Sequence, residues 1–232
     1  RSAHIFLQMG WRQAGVIRTR THWLEGGSRA RELRRREGRW RVWTTPFAAA
    51  SSARARAALD VGATRLEEWS SFPDEVESLA RQFEASHALV LRRDPDWLDW
   101  RFFQGASRAF RAFGLRRAGA LAGWFVLQKP GADGVAWLAD AMALDEAAWG
   151  ALGAHAARVA REAQAVALRA NAIDGSPWAA RLAALGFLPP RRQDHLIVIV
   201  HLHDPDHPVA REAADASRWW FTDADRDDET MG

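Results

Sequence analysis

Beyond residue 60 the chain alternates strand-length apolar runs with helix-length runs. This order constrains the fold more than any other feature of the sequence. Residues 63–72 suit a strand, and Pro73-Asp74-Glu75 opens a helix carrying Val76, Leu79, Ala80 and Phe83. Proline is tolerated in a first helical turn, and acids there complement the helix dipole. Arg93-Asp-Pro-Asp-Trp-Leu-Asp-Trp-Arg101 reads as a turn leading to aromatics. Residues 109–117 and 120–127 read as a hairpin across Ala118-Gly119, 135–144 as a further strand, and 145–163 as a long Ala-rich helix. The series ends with a short strand at 166–170, a helix at 176–185 stopped by Gly186, a buried-looking strand at 196–202 and a last strand near 219–222. Strands mixed with crossover helices predict an α/β chain built on a mixed sheet with helices on both faces.

The front of the chain has a different character. Residues 2–9 read as the last turns of a helix ended by Gly10, and 13–24 as one or two strands. A helix end plus a strand cannot close a core alone, so this piece must lean on the rest of the chain or on something absent. Residues 25–59 read as an Arg/Ala-rich linker containing a dense cationic run from Arg29 to Arg41. With Trp40 and Trp43 nearby, the run suits nucleic-acid phosphates and stacking, an anionic lipid surface, or a solvated linker, which is the preferred reading. Residues 1–58 carry 13 Arg against three acids, whereas 59–232 carry 19 cations against 26 acids. The basic isoelectric point is therefore a property of the front alone and weak evidence for nucleic-acid binding by the whole protein.

Composition removes several chemistries. With no Cys there are no disulfides, thiolate zinc sites or Cys nucleophiles, and with no Tyr a common proton donor is missing. The longest apolar run, 196–200, is far short of the ~20 residues of a membrane helix. The chain opens Arg1-Ser-Ala without Met or a signal segment, and is read as cytoplasmic, with its natural start in question.

Two stretches share a signature: Ser2-Ala-His-Ile-Phe-Leu-Gln-Met-Gly-Trp11 and Ser176-Pro-Trp-Ala-Ala-Arg-Leu-Ala-Ala-Leu-Gly-Phe187. Each resembles the end of the last helix of the GNAT superfamily of N-acyltransferases. There a small residue and a Tyr precede Leu-Gly-Phe. Arg93-Asp-Pro with Trp100-Arg101-Phe102, Asp140 on a strand, and Trp220-Phe-Thr-Asp-Ala-Asp225 also look like one subgroup of that superfamily. The resemblance implies a GNAT-like acyl-CoA N-acyltransferase fold of tandem type with the first domain largely missing. In this division 1–24 is the C-terminal remnant of a first unit, 25–59 the linker, 60–222 a GNAT-like domain and 223–232 an acidic tail. It also implies acetyl-CoA or another acyl-CoA as co-substrate, a small-molecule or peptide amine as acceptor, and a dimer or packing against the missing domain. The alternatives are a non-catalytic, degenerate GNAT-like module supporting a catalytic domain, and nucleic-acid binding through the Arg29–Arg41 run.

The same resemblance assigns site residues. Family members cradle the CoA pyrophosphate on backbone N–H groups at a glycine-rich helix start, which here matches Leu144-Asp-Glu-Ala-Ala-Trp-Gly-Ala-Leu-Gly153. Leu144 and the N–H groups of Ala148, Trp149 and Gly150 would then contact the cofactor, and Asn171 and Ser176 the pantetheine arm or acceptor. Asp145 and Glu146, however, place negative charge where a phosphate would sit. The positions of the family's acid Tyr hold Phe6 and Leu182, so a general acid must come from elsewhere or from water. Asp140 interrupts an apolar strand and is the candidate general base, burial raising its pKa; the competing role is a hydrogen bond to a neighbouring backbone group or Arg.

Two further clusters have bland readings. His201, His203 and His207 with Asp204 and Asp206 have a zinc-like spacing but run into a Pro-rich exit loop, and no metal is assigned. Residues 223–229 carry alternating carboxylates but lack the glycine and closing Glu of a calcium loop, and are read as a solvated acidic tail.

Overall fold

The computed structural model describes residues 2–24, 64–104, 109–188, 195–204 and 206–226. The linker reading of 25–59, including the Arg29–Arg41 run, lies outside these residues.

The helix α1 (Ser2–Gln8) is followed by Gly10, at a φ of +89°. The strands are β1 (Arg12–Trp23), β2 (Thr64–Trp69), β3 (Leu89–Val90), β4 (Phe110–Arg117), β5 (Ala120–Gln128), β6 (Val135–Ala143), β7 (Ala167–Ile173), β8 (His195–Val200) and β9 (Trp219–Trp220). The other helices are α2 (Glu75–Glu84), α3 (Pro95–Phe102), α4 (Glu146–Glu162), α5 (Pro177–Ala184) and α6 (Ala210–Ala214). Seven strands form one sheet in the order β2-β4-β5-β6-β7-β1-β8, and β3 pairs with β9 in a small parallel ribbon. Every neighbouring pair in the large sheet is antiparallel except β6 with β7. The protein is thus mixed α/β, as the order of runs predicts.

Local chemistry explains most elements. Ala118 and Gly119 both have positive φ, the twist a two-residue hairpin between β4 and β5 needs. Helix α4 starts where the Asp145 side chain accepts the Ala148 N–H, and α5 where Ser176 accepts the Ala179 N–H. In α2 the buried residues are Val76, Leu79, Ala80 and Phe83, the face read from spacing. Residues Ala122 to Leu127 of β5 are buried without alternation, so helices cover both faces of the sheet's centre.

Three expectations need correction. The stretch after Arg93 is not a turn but the helix α3, because Asp94 caps it by accepting the Trp97 N–H and Pro95 sits in the first turn, where its missing N–H costs nothing. The apolar run at 196–200 is not buried: β8 is an edge strand, with Leu196 52% exposed. The acidic stretch from Asp223 is not solvated at its start, since Asp223 is only 1% exposed. The front strand β1 lies inside the large sheet, flanked by β7 and β8, so it leans on the rest of the chain. Among the described residues no helix is long and apolar enough to cross a membrane.

Candidate functional site: the cleft between β6 and β7

Strands β6 and β7 pair only at Val135–Ala167, Ala136–Leu168 and Trp137–Arg169. Beyond those positions they run on to Ala143 and Ile173 without pairing. In the ladder with β5, Val126 faces Asp140 and Leu127 faces Leu138, so Ala139 is the extra residue of a β-bulge. Bulges bend a strand and re-aim the side chains beside them. Here the bulge comes just before Asp140, where β6 leaves its parallel neighbour, and a wedge opens between the two strands.

The wedge is filled by the chain itself. A short 3-10 turn, Asp223–Asp225, follows β9 and contacts both strands. On the β6 side the Thr222 hydroxyl donates to Asp140 Oδ1 at 3.0 Å. On the β7 side the Asn171 backbone N–H donates to Asp223 Oδ2 at 3.1 Å, and its side-chain amide to Asp223 Oδ1 at 2.6 Å. The Thr19 hydroxyl of β1 donates to the Asn171 side-chain oxygen Oδ1 and fixes the amide's orientation. Behind the turn three indoles cluster, with Trp178–Trp220 centroids 5.2 Å apart and Trp149–Trp220 5.7 Å apart. All three are buried, and the Trp178 indole N–H donates to the Asn171 carbonyl.

Arg93 holds this assembly together. It is 0% exposed, donates from Nε to Asp140 Oδ2 at 2.8 Å, reaches Asp225 at 2.8 Å, and also donates to the Leu91 carbonyl and Thr222. Arg101, from the last turn of α3, donates to the carbonyls of Asp223, Ala224 and Arg226. The three motifs quoted from the sequence, around Arg93, at Asp140 and at 220–225, therefore converge on one network. What the sequence reading missed is Arg93 and Thr222 as Asp140's partners. The sequence offers an Arg as one kind of partner for Asp140, but nothing in it singles out Arg93.

Burial pushes the Asp140 carboxyl up to about 6; Arg93 pulls it down and Asp225 adds to the rise. Burial also raises Asp223, against the hydrogen bonds from Asn171 and the charge of Arg226. For Arg93 burial works to lower the pKa, but the carboxylates of Asp140 and Asp225 outweigh it and keep the guanidinium charged. The folded Asp140 thus titrates near 6 and an unfolded one near 3.8, so the folded chain keeps a proton that the unfolded chain gives up. Its contribution to stability falls as pH rises through that window. Urea unfolding of the wild type and Asp140→Asn will show it: the stability advantage of the wild type is smaller at pH 7 than at pH 4.5. An advantage that grows with pH would contradict the burial argument.

The assigned site residues fall into two places. Asp140 and Asn171 face each other across the wedge, bridged by Thr222 and Asp223. Ser176 is fully buried as the α5 cap. Leu144 is 42% exposed at the mouth of α4, Ala148 gives its N–H to Asp145, Trp149 gives its N–H to the Asp145 carbonyl, and Gly150 lies in the helix. The stretch matched to a phosphate loop is thus almost all helix, and a Cβ on Gly153 would come within 2.7 Å of Leu185, which identifies a packing glycine. Arg117 pairs with Asp145 and Arg181 with Glu146, and the hydrogen bonds from these arginines hold both carboxyls below their ordinary range. Replacing Asp145 by Ala removes the α4 cap and will cost about 0.5–2 kcal/mol, read as a lower urea midpoint. A change below 0.3 kcal/mol would show the cap to be idle.

Among the described residues no group of three His, Cys, Asp or Glu is placed to hold a metal. His201 and His203 pack against each other with ring centroids 4.6 Å apart, and Trp11 packs on His201.

No family model and no curated protein matches the chain. It is similar to several solved structures. A GCN5-related N-acetyltransferase from Anabaena variabilis is 11% identical with a TM-score of 0.49, over 84% of this chain and 41% of that one. A conserved protein of unknown function from Enterococcus faecalis, described as a probable N-acyltransferase, is 14% identical with a TM-score of 0.47, over 85% of this chain and 41% of that one. A tandem GNAT protein from the clavulanic acid biosynthesis pathway is 19% identical with a TM-score of 0.44, over 88% of this chain and 59% of that one. The chain spans between two fifths and three fifths of these proteins' length.

Proposed function

We propose that this chain is a GNAT-like module that keeps its own acyl-CoA wedge closed and serves as the non-catalytic partner of a catalytic acyltransferase unit, shaping its acceptor cleft or interface. One observation carries the reading: the Asn171 N–H on β7 and Asp140 on β6 are already bridged by Thr222 and Asp223. An extended ligand between the strands would need the same space and the same N–H. The start of α4 adds to this, because its Ala148 N–H is taken by Asp145, and a helix N-terminus already capped by carboxylates repels a second anion.

The second reading is acyl transfer from acetyl-CoA or another acyl-CoA to a small-molecule or peptide amine, by this chain. The parting of β6 and β7 after Trp137 and Arg169, with the bulge at Ala139, favours it. In that reading Asp140 is the base. Leu144, Ala148, Trp149, Gly150, Asn171 and Ser176 line the cofactor path, much of the rate comes from holding both substrates in line, and water protonates the leaving thiolate. Asp140 reaches an amine only after Arg93 and Thr222 give way.

Calorimetric titration of the full chain with acetyl-CoA and desulfo-CoA decides between them. The closed module gives no binding tighter than about 1 mM, an affinity equivalent to about 4 kcal/mol. Micromolar binding together with acetylation of an amine would overturn it in favour of the enzyme.

A further inference from the structure

We propose that residues 219–226 form a strap: a displaceable internal occupant that shuts the β6–β7 cleft against an extended amide chain such as the pantetheine arm of coenzyme A. The inference rests on the reading of this cleft as an acyl-CoA wedge. It goes further in saying that the wedge is intact beneath its occupant.

The first support is what the strap uses for its seat. Asp223 takes the Asn171 backbone N–H and the Asn171 side-chain amide, the donors that a ligand carbonyl lying along β7 would require. The carboxylate acts as a stand-in for that carbonyl. On the opposite lip Thr222 donates to Asp140, so the strap reproduces a two-sided fit without joining the sheet.

The second support is how the strap is held. Among the described residues its only strand pairing is that of Trp219 and Trp220 with Leu89 and Val90. From Thr222 onward it is fastened by side chains: Arg93 to Asp225, Arg101 to three carbonyls, and Arg226 to Asp223. Buried charged networks contribute little net stability, because desolvation offsets the attraction. The main apolar anchor is Trp220, against Phe83, His87, Trp149 and Trp178. A segment fastened by side chains rather than by a strand ladder opens at a lower free energy than the sheet beneath it. Strands β6 and β7 are each held on their outer sides, by β5 and β1, so the cleft walls persist when the strap leaves.

The test uses the full chain, wild type and Asp223→Ala, with pantetheine as probe. Pantetheine carries no phosphate and is indifferent to the carboxylates at the start of α4. Hydrogen exchange at the Asn171 amide reports the strap, and exchange at Leu138 in the core of β6 reports the sheet. The expected result is at least tenfold faster exchange at Asn171 in Asp223→Ala with Leu138 unchanged, and at least tenfold tighter pantetheine binding by the variant, read by tryptophan fluorescence. If Asn171 exchange is unchanged, or if it accelerates while pantetheine affinity stays equal to that of wild type, the strap is refuted. Should Leu138 exchange also rise in Asp223→Ala, Asp223→Asn, which keeps the side chain's size, is measured against the same criteria. Turnover of acetyl-CoA by the wild type would sink the non-catalytic reading and leave the strap standing. Unchanged pantetheine binding would sink the strap and leave that reading intact.

Discussion

Replacing Arg93 by Met will cost the protein about 3–5 kcal/mol of stability, the usual penalty for removing one partner of a buried ion pair. The reason is what remains. Asp140 is fully buried and the Asp225 side chain is only 6% exposed, so without the guanidinium both carboxylates lose the cation that pairs with them. The Leu91 carbonyl loses its donor as well. For a domain whose whole stability is about 5–15 kcal/mol, the loss is visible in any urea titration. Arg93→Lys will recover only a minor part, because an ammonium cannot reproduce a planar fork that meets Asp140, Asp225, Leu91 and Thr222 at once. Combining Arg93→Met with Asp140→Asn will cost less than the sum of the two changes, by about 1 kcal/mol or more, since the second removes the charge that the first leaves unpaired. Strict additivity would show that the two residues do not act as a pair.

The second large effect is expected at Trp220. Its indole is 3% exposed and meets Phe83 at 4.6 Å, His87 at 4.9 Å and Trp178 at 5.2 Å between centroids. Its indole N–H has no hydrogen-bond partner among the described residues, so the ring contributes by packing. Trp220→Ala will cost about 3–5 kcal/mol, as for other buried aromatics cut back to alanine. Trp220→Phe, which keeps a ring and leaves a smaller void, will retain more than half of that. The same alanine variant will lose hydrogen-exchange protection at Asn171 before it loses protection in the middle of β5. A variant that unfolds in one step, with both regions exchanging together, would show that residues 219–226 are not a separable unit.

How much of this was legible depended on distance along the chain. The hairpin at Ala118-Gly119, the helix starts near Asp145 and Ser176 and the apolar face of α2 rest on interactions within a few residues, and composition and spacing predict them. Helix α3 rests on local interactions too, yet its sequence suits a turn: Asp94 and Pro95 are equally good turn residues, and only the accepted Trp97 N–H tells a cap from a turn. The exposure of β8 was illegible because a continuous apolar run fits a central strand and an edge strand alike. The site was legible only as parts. Asp140 stands out in the sequence as an acid in an apolar strand, but its hydrogen-bond partner Arg93 lies 47 residues earlier, a pairing that only the fold brings about. In the sequence Asp223 opens an acidic run, which suits solvent. Its partner Asn171 lies 52 residues away.

The sequence by itself determined the order of strands and helices, the absence of Cys and Tyr, and the two acids at the start of α4. Those properties follow from side-chain identity and short-range hydrogen bonding, which a linear text records. The tertiary structure alone decided that β1 enters the sheet beside β7, that β6 and β7 part after three residue pairs, and that the opening is taken by the chain's own carboxylates. A charge survives burial only beside its counter-charge, and Arg93 finds Asp225, 132 residues further on, only once the sheet has folded.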